Sequence, residues 1–538
     1  GTGVQGIHYV EECSFRREEH YIFITRLYSL WDSVVRRQDI FQKCSDIQIT
    51  IMNKHSLAIF FMLLLSVELP AQSFDAYRKR KMNEFNDYKE RKQDRFKEYR
   101  DKVNAALADH IAKPWERHVA NPAIPAPTLP EPPEPDVKDP DSGVSDDLIP
   151  FEGIIDDLEE QLRPEPFAPM EVPEEERVPS FSFDFYGREC GVPLSEGNVF
   201  RLRGIDGKSV AAAWRTLSSG KYLPVVYESL QWRDRMNLCD WGYIRFLDEM
   251  TKAFFPKNMR NEAKLLQVYI LTQCGYMVRL ASVDDSLVLL LPFKNVMYDY
   301  TYLNIQGCKY YVMDKAAAGK PILLTDFSTP KERMFSLRIT GAMNLTERPG
   351  KPRVYASKRY PALSFPLSVN ENLINFYNDY PLSGEWGVYS EASLSEEVKG
   401  QLYPALRDKI AGKDVLTAAN MLLNFVQTAF EYKTDAAQFG RERALFGDET
   451  FFYPYSDCED RAILYSILVR ELLGLDVVLL HYPLHLATAV RFERDVAGDH
   501  ISINGVKYTV CDPTYIGALA GDAMPEYKTV PAKVVKIK

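Results

Sequence analysis

The chain has 538 residues, 46% of them hydrophobic, and a formal net charge of −10. That length implies three or four folding units and enough apolar material for a sizeable core. The mildly acidic balance leaves no basic field of the kind that holds a phosphate backbone, so nucleic acid is not the expected partner.

Residues 1–51 contain no methionine and are read as a non-native upstream extension. From Met52 the sequence has the layout of a signal peptide over 52–71. Lys54 supplies the positive start, Leu57 to Val67 the apolar run, and Leu69-Pro70-Ala71 the cleavage point. The run is too short to span a bilayer, so export with no transmembrane anchor is expected, to the periplasm or beyond.

Three blocks with a period of eleven follow, beginning at Phe74, Phe85 and Phe96, each opening aromatic-x-x-Tyr. Eleven residues fill three helical turns, so Phe74, Tyr77, Phe85, Tyr88, Phe96 and Tyr99 make one stripe on a charged helix over 72–113. Pro114 should stop it. The helix offers a surface for a partner or packs on its own protein. Residues 114–180, with Leu129-Pro130-Glu131-Pro132-Pro133 typical of them, read as an acidic Pro-rich linker.

Globular sequence resumes near Phe181. Six cysteines follow the signal (Cys190, Cys239, Cys274, Cys308, Cys458 and Cys511), none in a CxxC pair, which gives a zinc knuckle no support. Helical and strand-like stretches alternate irregularly, so the fold class is α+β.

The chemistry concentrates after Leu416. Ser456 and Glu459 have the spacing of a capping box ahead of the apolar run Ala462, Ile463, Leu464, Ile467, Leu468 and Leu472, with Gly474 as the stop. This places Cys458 in the first turn of a buried helix, where free N–H groups stabilise a thiolate and the nearby Glu459 and Asp460 oppose them. Downstream of the linker the only histidines are His481, His485 and His500. His485 opens an alternating strand, and small Ala487 and Ala489 share its face. Ile501 to Cys511 is a hairpin around Asn504-Gly505, with Asp512 at its end and Pro513 after it. Thiolate, imidazole and carboxylate are the three groups that acyl transfer needs. His481 reads as a supporting or surface residue, His500 as a loop histidine and Cys511 as a core residue. A zinc site from Cys458, His485 and Asp512 lacks a fourth ligand.

The stretches YSDCEDRAILYSILVRELLG, HLATAV and KYTVCDP, with a lead-in helix through Phe425-Val426-Gln427 and Tyr432, resemble the transglutaminase-like superfamily of papain-like folds, bacterial secreted type. The resemblance covers roughly Leu416 to Tyr527. It implies a Cys458, His485 and Asp512 triad, a protein or peptide substrate and no cofactor or metal, with Gln427 or Tyr453 as oxyanion donors. Glu459 stands where animal crosslinking enzymes carry tryptophan, and no tryptophan follows Trp386. Hydrolysis is therefore expected ahead of amine-dependent crosslinking, and a binding scaffold that lost turnover is the competing class.

An earlier stretch repeats the pattern. NEAKLLQVYILTQCG aligns on DRAILYSILVRELLG, with Gly275 on Gly474, and LNIQGCKYYVMD aligns on ISINGVKYTVCD, with Asp314 on Asp512. Met259 then falls at Cys458 and Ser286 at His485, so this copy is expected to be inert. The expected order is a degenerate copy over 181–328, a β-rich connector over 329–400 and the triad-bearing domain over 401–538.

Overall fold

The computed structural model describes residues 54–127, 136–143, 145–156 and 162–538. The expected upstream extension 1–51 lies outside the described residues. A helix α1 (Lys54–Ile111) ends just ahead of Pro114 and leaves Tyr77, Phe85, Tyr88 and Tyr99 exposed. Among the described residues no helix is long and apolar enough to cross a membrane.

Residues 92–538 form a single unit. Three of its helices matter for the site: α2 (Arg260–Gln273), α3 (Val415–Ala429) and α4 (Cys458–Leu473). Twelve of its strands build two sheets. They are β1 (Glu116–Val119), β2 (Phe151–Ile155), β3 (Arg279–Val283), β4 (Ser286–Pro292), β5 (Tyr302–Ile305), β6 (Cys308–Val312), β7 (Pro321–Thr325), β8 (Val477–Tyr482), β9 (His485–Val490), β10 (His500–Ile503), β11 (Val506–Cys511) and β12 (Ala532–Lys536). The first sheet has the order β1-β7-β3-β4-β6-β5 and the second β2-β12-β8-β9-β11-β10. Strand for strand these are the same path. Each sheet follows one buried helix, α2 or α4, and each carries an outer hairpin turned by a left-handed pair: Gln306 and Gly307 at φ 51° and 85°, Asn504 and Gly505 at φ 51° and 80°. Two successive positive φ angles define the tight turn that matches strand twist. The outermost strands differ: β1 runs antiparallel to β7, whereas β2 runs parallel to β12.

The stretch 114–180 is more than a linker. It supplies β1 to one sheet and β2 to the other, and it buries Ile149, Ala168 and Val172. Its prolines keep it extended, and an extended backbone satisfies its N–H and C=O groups by pairing with open sheet edges. Lys138 is also ion-paired to Asp522. The segment 329–400 departs from a β-rich connector. It holds one hairpin, Arg353–Ala356 with Ser364–Leu367, and the helices Glu371–Asn378 and Trp386–Ser390. Met334 to Ile339 alternates because Phe335, Leu337 and Ile339 enter the core. Its backbone makes one isolated bridge, Phe335 with Phe293, and no longer ladder: Ser336 N–H donates to Asp240 and Leu337 N–H to Asn295. One apolar core runs from Leu107 to Ile537 across the expected boundaries after 113, 180, 328 and 400, and residue 401 falls inside the helix Glu396–Ile410.

The paired helices end alike, Gly275 at φ 80° and Gly474 at φ 68°, but in different surroundings. A Cβ on Gly275 would collide with the Glu165 backbone carbonyl, whereas one on Gly474 meets nothing within 4 Å. Gly474→Ala should cost only the left-handed backbone penalty, about 1 kcal/mol. Gly275→Ala should cost several times more, because a backbone must move. Thermal unfolding of both variants followed by circular dichroism checks this; equal shifts would contradict it.

Candidate active site

Helix α4 starts at Cys458 with Asp457 as its N-cap. The cap is not the expected Ser456 and Glu459 pair. Asp457 N–H donates to Asp460 Oδ2 at 3.3 Å, and Ser456 Oγ instead accepts from Arg461 Nε at 3.2 Å. Arg461 is buried and also donates to the Gln427 and Phe430 carbonyls, which ties the start of α4 to the end of α3. Twelve consecutive residues of α4, Cys458 to Val469, are buried, so the thiol sits at the mouth of a core helix.

His485 is the first residue of β9 and Asp512 directly follows β11, the strand paired with β9. His485 Nε2 and Asp512 Oδ2 are 2.7 Å apart, both side chains being at most 5% exposed. Thr514 and Tyr515 N–H donate to Asp512 Oδ1 at 2.9 and 3.2 Å, so the carboxylate is held from both sides. The Tyr527 ring stacks on the imidazole with centroids 4.8 Å apart. With Nε2 on the carboxylate, Nδ1 is the ring nitrogen left to accept a proton.

Cys458 and His485 line one pocket, together with Trp386, His481, Tyr482 and the carboxylates Asp435, Glu442, Asp457 and Glu459. The thiol does not hydrogen-bond to His485. It donates to Glu459 Oε2 at 3.0 Å. Burial, then the Glu459 and Asp457 carboxylates, push the thiol well above its ordinary range; the Leu486 N–H facing the sulfur opposes them. The helix-start effect anticipated from sequence is therefore outweighed. The carboxyls crowd one another as well: burial and the neighbouring Asp457 and Asp460 push Asp435 up to about 10.

The two oxyanion candidates are placed elsewhere. Gln427 is fully buried and spends its amide on the Asp512, Tyr515 and Ala518 carbonyls, at 3.1, 2.8 and 3.2 Å. It pins the loop that presents Asp512. Tyr453 donates its hydroxyl to Asn378 at 2.9 Å and does not line the pocket. Neither is free to meet an oxyanion, because each donor already has an acceptor. Cys511 points into the core, on the face opposite Asp512, and all six described cysteines are free thiols. His481 packs edge-on against Trp386, with centroids 5.4 Å apart. His500 is not a loop residue; it opens β10, with Nδ1 3.0 Å from the Gly498 carbonyl. Sequence reasoning missed Asp435, Glu442 and Tyr527. Asp435 lies more than twenty positions before Cys458, and no local spacing announces it.

In the first sheet the corresponding places hold Met259, which precedes α2, and Ser286, the first residue of β4 as His485 is of β9. Met259 is no comparable nucleophile for the place of Cys458, and Ser286 is no base near neutral pH for the place of His485. Comparison with protein-family models, curated proteins and solved structures finds no match.

The short helix Gly447–Phe452 leads into the site and carries two buried acids. Burial pushes Asp448 up from 3.8 to about 6, against hydrogen bonds from Ser395. A carboxyl whose pKa is higher folded than unfolded contributes stability in full below pH 4, and that contribution is lost as pH rises through about 6. Asp448→Asn removes this titration while keeping an oxygen for Ser395. The loss of stability between pH 5 and pH 8 should shrink by roughly 1.4 kcal/mol, read from thermal unfolding at the two pH values. An unchanged slope would rule the assignment out.

Proposed function

We propose that this chain is a thiol-dependent acyl hydrolase of the transglutaminase-like kind, cleaving a peptide or isopeptide amide through Cys458, His485 and Asp512. The observation that carries the reading is the buried 2.7 Å contact between His485 and Asp512 beside a pocket that also holds the Cys458 thiol. Asp512 fixes the imidazole with its proton on Nε2, which leaves Nδ1 as the base. Once the thiol leaves Glu459, its proton passes to Nδ1 and the sulfur attacks the carbonyl carbon. The C–N bond then breaks, the leaving amine takes the proton from the imidazolium, and water resolves the thioester by the reverse transfer.

The repeated strand order of the two sheets supports a duplicated unit, with the 181–328 copy kept as scaffold and the 401–538 copy kept for chemistry. Export to the periplasm or beyond fits a peptide or cell-surface protein substrate. The alternative is a binding protein of the same fold without turnover, and one feature favours it: the thiol is 4% exposed and hydrogen-bonded to a carboxylate. Amine-dependent crosslinking has no comparable support.

An activated ester such as p-nitrophenyl acetate separates these readings. A burst of nitrophenolate with an acetyl group on Cys458, located by mass spectrometry, is expected for the hydrolase. His485→Ala should slow the burst by about 10²–10⁴, and Asp512→Asn should act in the same direction. A wild-type protein that acylates no faster than His485→Ala would leave only the binding protein.

A further inference from the structure

The two sheets differ in what lies beside the helix that packs on each buried helix. For α4 that neighbour is α3; for α2 it is the helix Asp240–Phe254, also of 15 residues. Matching contacts set their register. Tyr465 donates to the Ala419 carbonyl at 3.4 Å. Gln267, one position further on when Gly275 is set on Gly474, donates to the Ile244 carbonyl at 3.2 Å. Ile244 then corresponds to Ala419, Arg245 to Asn420 and Lys252 to Gln427.

Along α3 the chain itself fills this place. The loop after β11 passes Gln427, which donates to the Asp512, Tyr515 and Ala518 carbonyls, and reaches Asn420, whose Oδ1 accepts from Ala520 N–H at 2.8 Å. That loop occupies 512–531, whereas the loop after β6 occupies only 313–320. The corresponding face of Asp240–Phe254 borders a cavity of about 250 Å³ instead. Trp241, Arg245 and Asp248 line it from that helix, Lys264 from α2, with Tyr300 and with Met313 just after β6. The charges at the cavity satisfy one another. Arg245 pairs with Asp248, Glu249 and Asp379 at 3.2, 3.0 and 3.6 Å, and Asp248 also takes Lys252 and Lys264. Three cations meet three acids, so the cavity does not call for a charged occupant. Arg245 Nε is buried with no acceptor, and Ile244 and Leu289 add apolar wall. An occupant should therefore bring carbonyl oxygens and apolar side chains.

We propose that this cavity is a binding site for an uncharged, extended peptide segment, seated beside Asp240–Phe254 as the 512–520 loop is seated on α3. A peptide is what covers the matching helix face in the same chain, and a neutral backbone supplies the acceptors that the cavity lacks. The sheet without Cys458 and His485 then serves recognition as well as support. The site does not depend on the triad reading, since a hydrolase and a binding protein can both hold peptide there.

The probe is the acetylated and amidated peptide PTYIGALAG, the uncharged sequence of 513–521. It is titrated by calorimetry into the full chain and into Cys458→Ser, which has no thiol to turn it over. One peptide per chain is expected, with Kd below about 1 mM. Tyr300→Ala, which removes a wall, and Met313→Trp, which fills the space, should each weaken binding at least about fivefold. His485→Ala should leave it within about twofold. The same peptide carrying Ile516→Asp and Leu519→Asp should bind at least about tenfold more weakly. Peptide should also slow amide hydrogen exchange over 240–254 in the unmodified chain, which keeps the test decisive if a variant fails to fold. Absence of both heat and protection in the folded wild-type protein overturns the site. So does binding that His485→Ala abolishes and Met313→Trp spares, or equal affinity for the aspartate-bearing peptide. A chain that binds the peptide yet forms no acyl-enzyme keeps this site and loses the hydrolase reading; the opposite result keeps the hydrolase and loses the site.

Discussion

The start of α4 buries a thiol among carboxylates, and much of the surrounding structure is organised around that one electrostatic cost. Asp457, Glu459 and Asp460 lie within four residues of one another on a helix with no exposed face there. Asp435 and Glu442 add to the same pocket. Helix N-terminal N–H groups favour negative charge, but they do not neutralise so many acids in a dry environment. The protein answers locally: Asp460 accepts from Leu445 and Asp457 N–H, and Asp435 accepts from Arg443 N–H. What remains are three free oxygens facing one pocket.

Around this strained centre the framework is stiff. Gln427 on α3 holds the loop that carries Asp512, and its own carbonyl accepts from Arg461 at the start of α4. The helix bearing Cys458 and the strand end bearing Asp512 are thus joined through one residue. Tyr527 closes over His485, and Tyr482 packs against Tyr527 with centroids 4.9 Å apart. Such packing fixes the imidazole plane, which matters because a base must be oriented before it can be useful.

The two sheets show how one chain path serves with and without a polar site. Their strand orders coincide, yet the place of Cys458 holds Met259 and that of His485 holds Ser286. The first sheet bears no equivalent of the acidic helix start: α2 begins Arg260-Asn261-Glu262. The segment 114–180 then joins the two, giving an edge strand to each.

Local rules were enough to place α4 and its Gly474 stop, the Asn504-Gly505 hairpin, the His485 strand and the opposite facing of Cys511 and Asp512. These follow from helical and strand period and from residues that alone tolerate positive φ. The sequence by itself thus determined these helix and strand segments and brought His485 and Asp512 to adjoining strand ends. Only the tertiary structure decided the rest. Gln427 became a loop pin because the Asp512, Tyr515 and Ala518 carbonyls reach it from some ninety residues away. The acidic Pro-rich stretch became two edge strands because open sheet edges were there to pair it. The thiol turned to Glu459, and Asp435 joined the cluster, because burial and charge depend on what folds alongside, which spacing along a chain does not encode.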